Sequence, residues 1–325
     1  MTTITASTSA ATAPAGALTP ALTGVVPPVC TPLTPDFEVD VDSLVRLVDF
    51  QIDGGVDGLF ILGSSSEVAF LPDAHRAVVV DTVLEHVAGR VPVLIGAIDM
   101  TTLRVLDHAR RAVRDGCAGI VTTAPFYTRT HPAEVELHLR RIAEQCEAPL
   151  YAYDLPVSVH TNLDHDMLLR LAQENVLAGL KDSTGDDGSL RDLIVARNDA
   201  GLTGFSVLTG SELTVDSALR MGADGVVPGL GNVDPQGYAT LYRHARAGDW
   251  EQARLEQERL LRLMRIVRAA PANRMGRGSS ALGAFKTALT LRGVIDHAVT
   301  MVPQIPLDEA ETEYVRRILV AAGLL

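Results

Sequence analysis

Eight times between Gly24 and Gly248 a short, nearly continuous apolar run is followed by a stretch with helical signals. The runs are Val25–Thr31, Gly58–Leu62, Val91–Gly96, Gly119–Thr123, Pro149–Tyr153, Leu177–Lys181, Ser206–Thr209 and Gly225–Val227. Continuous apolar content without alternation marks strands covered on both faces, the condition of a parallel sheet. Between the runs, Asp42–Phe50 reads as a helix stopping at Gly54-Gly55, and Pro72, Thr101 and Pro132 open three more. Eight βα units in about 220 residues predict a closed α/β barrel, (β/α)8, and not an open doubly wound sheet. No GxGxxG follows any run, which speaks against dinucleotide binding.

Beyond Gly248 the pattern turns helical. Trp250–Arg268 reads as one long helix, Asn273–Ser280 as a Gly/Ser/Arg loop, and Ala281–Arg292 and Leu307–Ala322 as further helices. The expected organisation is therefore a tail over 1–22, a barrel over 23–245 and a helical appendage over 246–325. The tail carries no charged side chain and neither a basic start nor a long apolar stretch, so it reads as disordered and not as a signal peptide.

The formal charge of −12 and a pI near 5.2 argue against a nucleic-acid partner. No run approaches the roughly 20 apolar residues of a membrane span. Cys30, Cys117 and Cys146 are isolated, without a CxxC pair, and read as reduced thiols in a cytoplasmic protein.

Of the 28 basic residues, 26 are arginine; the two lysines are Lys181 and Lys286. Arginine cannot lose its proton near neutral pH and attack a carbonyl as a free amine, whereas lysine can. Lys181 ends the sixth apolar run, and chemistry in such barrels sits at the C-terminal strand ends. An ion-pairing lysine is the plainer reading of one such residue; scarcity and placement together favour a Schiff-base nucleophile. Lys286 lies within a predicted helix and is expected to be structural. Imine formation needs a proton shuttle, and Tyr153 ends the neighbouring strand. Gly63-Ser64-Ser65-Ser66-Glu67 ends the second, where hydroxyls and consecutive N–H groups suit a carboxylate beside the ketone.

These segments resemble the dihydrodipicolinate synthase/N-acetylneuraminate lyase family of pyruvate-dependent class I aldolases. Gly63–Glu67 is similar to its G-[TS]-T-G-E motif, Pro125-Phe126-Tyr127 to P-[YF]-Y, Tyr153–Pro156 to Y-N-x-P, and Gly179–Ser183 to G-[IL]-K-[DE]-[ST]. The resemblance runs from about Gly24 to the C-terminus. It implies that Lys181 forms an imine with a 2-keto acid, that Tyr153 is the general acid/base, and that Ser65 and Tyr127 complete a hydroxyl relay. Tyr127 would reach in from a neighbouring subunit, while Ser64 and Ser65 hold the keto-acid carboxylate. It further implies a homotetramer with no metal or organic cofactor, the only covalent adduct being the imine on Lys181.

Three departures matter. Ser66 replaces the motif's glycine and is expected to crowd the carboxylate nest. Serines replace both threonines. Ser158 stands where the synthase branch carries an arginine for its second substrate, and a hydroxyl cannot replace a bidentate guanidinium. The expected activity is thus an aldolase or dehydratase acting on pyruvate and 2-keto-3-deoxy sugar acids. Ser158, Ser183, Gly210, Glu212 and Val227 are the remaining substrate-contact candidates, and Asp154 adds a carboxylate beside Tyr153 or a capping partner. The alternatives are a synthase condensing pyruvate with aspartate semialdehyde and a catalytically inactive keto-acid-binding barrel. A metal-dependent aldolase is disfavoured because His75, His86, His108, His138 and His244 fall in helices and loops.

Overall fold

The computed structural model describes residues 22–325, so the expected disordered tail lies outside the described residues except for Leu22. Eight parallel strands form the sheet: β1 (Gly24–Val25), β2 (Leu59–Ile61), β3 (Val93–Gly96), β4 (Cys117–Thr123), β5 (Leu150–Asp154), β6 (Gly179–Asp182), β7 (Ser206–Thr209) and β8 (Gly225–Val226). They pair in the order β1-β8-β7-β6-β5-β4-β3-β2. The barrel shuts where the chain just past β1 meets β2. There Pro28 and Phe60 form a parallel bridge, the Val29 N–H donates to the Phe60 carbonyl at 2.9 Å, and Phe60 N–H donates to the Pro27 carbonyl at 3.0 Å.

The first strand is shorter than the expected Val25–Thr31. Pro27 and Pro28 have no N–H to give a ladder, so regular pairing stops at Val25 and only single bonds carry the seam. At the opposite edge of β2, Gly96 lets β3 close in: a Cβ there would lie 2.0 Å from the Leu62 carbonyl oxygen. That approach brings the β2 end, and the serine turn after it, over the barrel mouth.

The crossovers are α1 (Val41–Asp53), α2 (Asp73–Val87), α3 (Thr102–Ala112), α4 (Pro132–Gln145), the single turn α5 (Pro156–Val159), α6 (His165–Gln173), α7 (Asp187–Asp199), α8 (Val215–Met221) and α9 (Pro235–Arg246). Their starts are fixed locally. The Asp40 carboxylate accepts from the Ser43 N–H at 3.0 Å, and His131 with Glu134 closes a capping box on α4. Each turns an apolar face to the strands, as with Leu44, Leu47 and Val48 of α1.

The C-terminal segment comprises α10 (Trp250–Leu263), α11 (Arg277–Leu291) and α12 (Glu309–Ala321). The helix expected over Trp250–Arg268 is α-helical only to Leu263 and winds on as a 3-10 helix over Met264–Arg268, the tightening common at helix C-termini. The loop expected to last until Ser280 ends at Gly276. Serine composition suggested a loop, but Ser280 is buried, its hydroxyl donating to the Val267 carbonyl at 2.8 Å and accepting from the Ala270 N–H at 3.2 Å. Tertiary partners thus hold helical a turn that its composition disfavours. No helix among the described residues is long and apolar enough to cross a membrane.

Candidate active site

Strand register brings the reactive side chains together. Thr123 of β4 pairs with Tyr153 of β5, and Tyr153 with Lys181 of β6. All three project into a cavity of about 720 Å3 at the C-terminal mouth of the barrel. Lys181 is buried, its Nζ 4.0 Å from the Tyr153 ring centroid and 4.9 Å from that of Phe60. Phe60 and Tyr153 themselves meet edge to face, centroids 6.4 Å apart. The amine thus sits between two aromatic surfaces that limit its water. Burial alone would raise the Tyr153 phenol, but the Lys181 charge and hydrogen bonding with Ser64, Lys181 and Ser183 outweigh it. The phenol is held below its ordinary value, as suits a proton shuttle near neutral pH.

The turn after β2 is built as an anion nest. Ser66 N–H donates to the Gly63 carbonyl at 3.1 Å and Glu67 N–H to that of Ser64 at 3.0 Å. The Ser64 and Ser65 amides donate to no group among the described residues and line the cavity. Adjacent backbone N–H groups without an internal acceptor can hold an anion. Leu62 at φ 55° and Glu67 at φ 62° flank the turn, unusual values for residues with a Cβ.

Ser66 does not crowd this nest. It is fully buried on the far side, its hydroxyl donating to the Val29 carbonyl at 2.5 Å and accepting from the Gly63 N–H at 3.3 Å. The extra atoms where a glycine was expected fasten the turn to the barrel seam. Ser64 is the serine of this turn that helps hold the Tyr153 phenol down, and Ser65 lines the same cavity. Successive residues of a turn point different ways, and sequence alone does not say which faces the phenol.

Ser64, Ser65, Ser158, Ser183, Gly210, Glu212 and Val227 all line the same cavity as Lys181 and Tyr153. Gly210 packs so closely on β6 that a Cβ would lie 2.0 Å from Ser183 Oγ. Ser158 sits exposed at the rim. The Glu212 carboxyl accepts from the Leu230 N–H at 2.6 Å and the Tyr238 hydroxyl at 3.4 Å. Burial pushes it up to about 7 against the pull of those groups and of Lys181. Tyr127 stands apart: it is 90% exposed, at φ 76°, and does not line the cavity.

Asp154, the last residue of β5, is buried and lies outside the cavity lining. One carboxylate oxygen accepts from the Leu163 N–H at 3.1 Å; the other has no partner among the described residues. Burial raises this carboxyl to about 7, the Leu163 bond opposing and the neighbouring Asp182 adding to the rise. The native state therefore keeps a proton that an unfolded chain loses near pH 4, so stability falls as pH climbs from about 4 to 7. Asp154→Asn is expected to remove that loss, up to about 4 kcal/mol for the full shift and less where solvent screens the carboxyl. Thermal melts of both proteins check this. The variant's Tm relative to wild type should rise between pH 4 and pH 8, and a pH-independent difference would refute the assignment.

Several lining residues escaped strand-end reading. Thr123 carries a buried hydroxyl without a partner among the described residues, and Phe285, Leu282 and Gln304 come from the C-terminal segment. Thr123 could have been found from its place beside Tyr153 in the register; the C-terminal residues carry no local signal. Among the described residues no three His, Cys, Asp or Glu side chains are placed to hold a metal ion.

The Dihydrodipicolinate synthetase family profile matches residues 21–322. A 4-hydroxy-tetrahydrodipicolinate synthase from Desulfotalea psychrophila is 31% identical over 84% of this chain and 87% of its own. An uncharacterised DapA-like lyase from Halobacterium salinarum is 33% identical over 94% and 95%. Among solved structures, YagE, a prophage protein of Escherichia coli K12 crystallised with pyruvate, superposes with a TM-score of 0.87 at 28% identity, covering 93% of this chain and 99% of YagE. Dihydrodipicolinate synthase from Thermotoga maritima gives 0.85 at 26% identity, covering 94% and 100%. The chain is a lyase belonging to the dihydrodipicolinate synthetase family.

Proposed function

We propose that this lyase works through an imine between Lys181 and the keto carbon of pyruvate or of a 2-keto-3-deoxy sugar acid. The observation that carries this is a buried lysine amine beside a phenol of lowered pKa, with two free amides across the same cavity. The neutral amine attacks C2 and gives a carbinolamine. Tyr153 protonates the departing hydroxyl, which leaves as water, and the nitrogen lone pair closes the C=N bond. Ser64 and Ser183 would support the phenol, and the Ser64 and Ser65 amides would hold the carboxylate. In the cleavage direction, loss of the proton from the C4 hydroxyl breaks the C3–C4 bond, an aldehyde leaves, and the electrons remain as an enamine on Lys181. The enamine takes up a proton at C3, and water then hydrolyses the imine to pyruvate and the free amine.

For the second half of the substrate, Ser158 in place of an arginine favours hydroxyl recognition over carboxylate capture, and Ser183 and Glu212 supply further hydroxyl partners. Tyr127, turned outward from its own cavity, supports a relay completed between copies, hence the homotetramer reading. The barrel over 23–245 would hold the chemistry and 246–325 its outer wall. Three unpaired cysteines fit a cytoplasmic setting.

Borohydride reduction with pyruvate, followed by peptide mass mapping, tests the imine. A reduced pyruvyl adduct on the Lys181 peptide is expected; binding of pyruvate without any adduct would instead mean an inactive keto-acid-binding barrel. Turnover assays then decide the partner: cleavage or dehydration of 2-keto-3-deoxygluconate is expected. Efficient condensation of pyruvate with aspartate semialdehyde would overturn the sugar-acid assignment and leave the imine standing.

A further inference from the structure

The second lysine is as buried as a charge can be. Lys286 on α11 is 0% exposed, and its Nζ forms an ion pair with Glu67 Oε1, itself 1% exposed, while donating to the Val299 carbonyl at 2.6 Å. The other Glu67 oxygen accepts from the Met301 N–H at 2.6 Å and from Gln304 Nε2 at 2.7 Å. Every one of these donors belongs to the C-terminal segment, whereas Glu67 closes the serine turn after β2. Two positions earlier lies Ser65, with its free amide. One position earlier lies Ser66, bonded to Val29 at the seam. The nest is thus held between two anchors, one in the barrel and one in the appendage.

A buried ion pair is weak evidence for stability, since apolar residues of similar volume often serve as well. Its value lies in geometry: it ties Glu67, at φ 62°, to one arrangement. We propose that Glu67 and Lys286 are positioning residues for the keto-acid carboxylate, and that the C-terminal segment is in this way a working part of the substrate site. The proposal rests on the reading of the Ser64 and Ser65 amides as the carboxylate holder.

The test uses the full chain with Glu67→Gln, the neutral double variant Glu67→Gln/Lys286→Met, and Val315→Ala as a control for general destabilisation within α12. Two measurements are made: amide hydrogen exchange of the peptide spanning residues 61–70, and the pyruvate concentration that half-saturates borohydride trapping. Expected in both Glu67 variants are faster exchange in that peptide and a roughly tenfold rise in half-saturating pyruvate. The trapping rate at saturation should stay within about threefold of wild type. The control should lower Tm and move neither quantity. Unchanged exchange and half-saturation in a folded Glu67→Gln protein would overturn the proposal, as would equal shifts in Val315→Ala. Absence of trapping in wild type would count against the imine reading alone, because exchange still reports whether the pair holds the turn.

Discussion

Lys181→Arg is expected to fold with a Tm near that of wild type and to lose at least about 10³-fold in turnover. The guanidinium keeps a positive charge between Phe60 and Tyr153, so the packing and electrostatics of the site change little. What disappears is the neutral amine lone pair, and with it the covalent step. The chain's composition makes the result sharp. The other lysine is fully buried, bonded to Glu67 and Val299, and has no path to a keto acid, so the variant should show no reduced pyruvyl adduct at all. Adduct on the Lys286 peptide, or substantial residual turnover, would show that the imine assignment is wrong.

Tyr153→Phe is the second large effect, an expected loss of about 10² to 10⁴ in kcat. The ring that supports Lys181 remains while the hydroxyl that moves the proton goes. The adduct should therefore still accumulate on Lys181 under borohydride, but slowly. The pH profile carries a further signature. Because the phenol sits below its ordinary value, it ceases to be a proton donor at lower pH than a free tyrosine near 10. Wild-type rate should fall on an alkaline limb below that value, and the limb should vanish in the phenylalanine variant. A limb that persists unchanged belongs to another group, and Tyr153 is then not the shuttle.

The barrel was legible because runs such as Val91–Gly96 and Ser206–Thr209 are apolar throughout and separated by helical periods. Lys181 and Tyr153 were legible as candidates for a related reason: polar side chains that interrupt such a run near its C-terminal end lie next to the mouth. The seam was not, since Pro27 and Pro28 sit in an apolar run yet cannot make a ladder. Within the serine turn, type was readable but direction was not. Ser66 reads as bulk in the nest and turns out to bond Val29 at the barrel seam. Least legible were contacts formed between distant stretches. Nothing near Glu67 announces Lys286, and nothing near Phe285 or Gln304 announces a cavity they help to wall.

That wall has an evolutionary consequence. The groups assigned to bond making stand on β5 and β6, whereas Met264, Val267, Leu282 and Phe285 line the same cavity from a later part of the chain. Drift in those four residues reshapes the space available to whatever is joined to the keto acid without touching the amine or the phenol. On the proposed imine chemistry, a duplicated gene with this architecture can explore new substrates one apolar substitution at a time while the lysine and the phenol stay untouched.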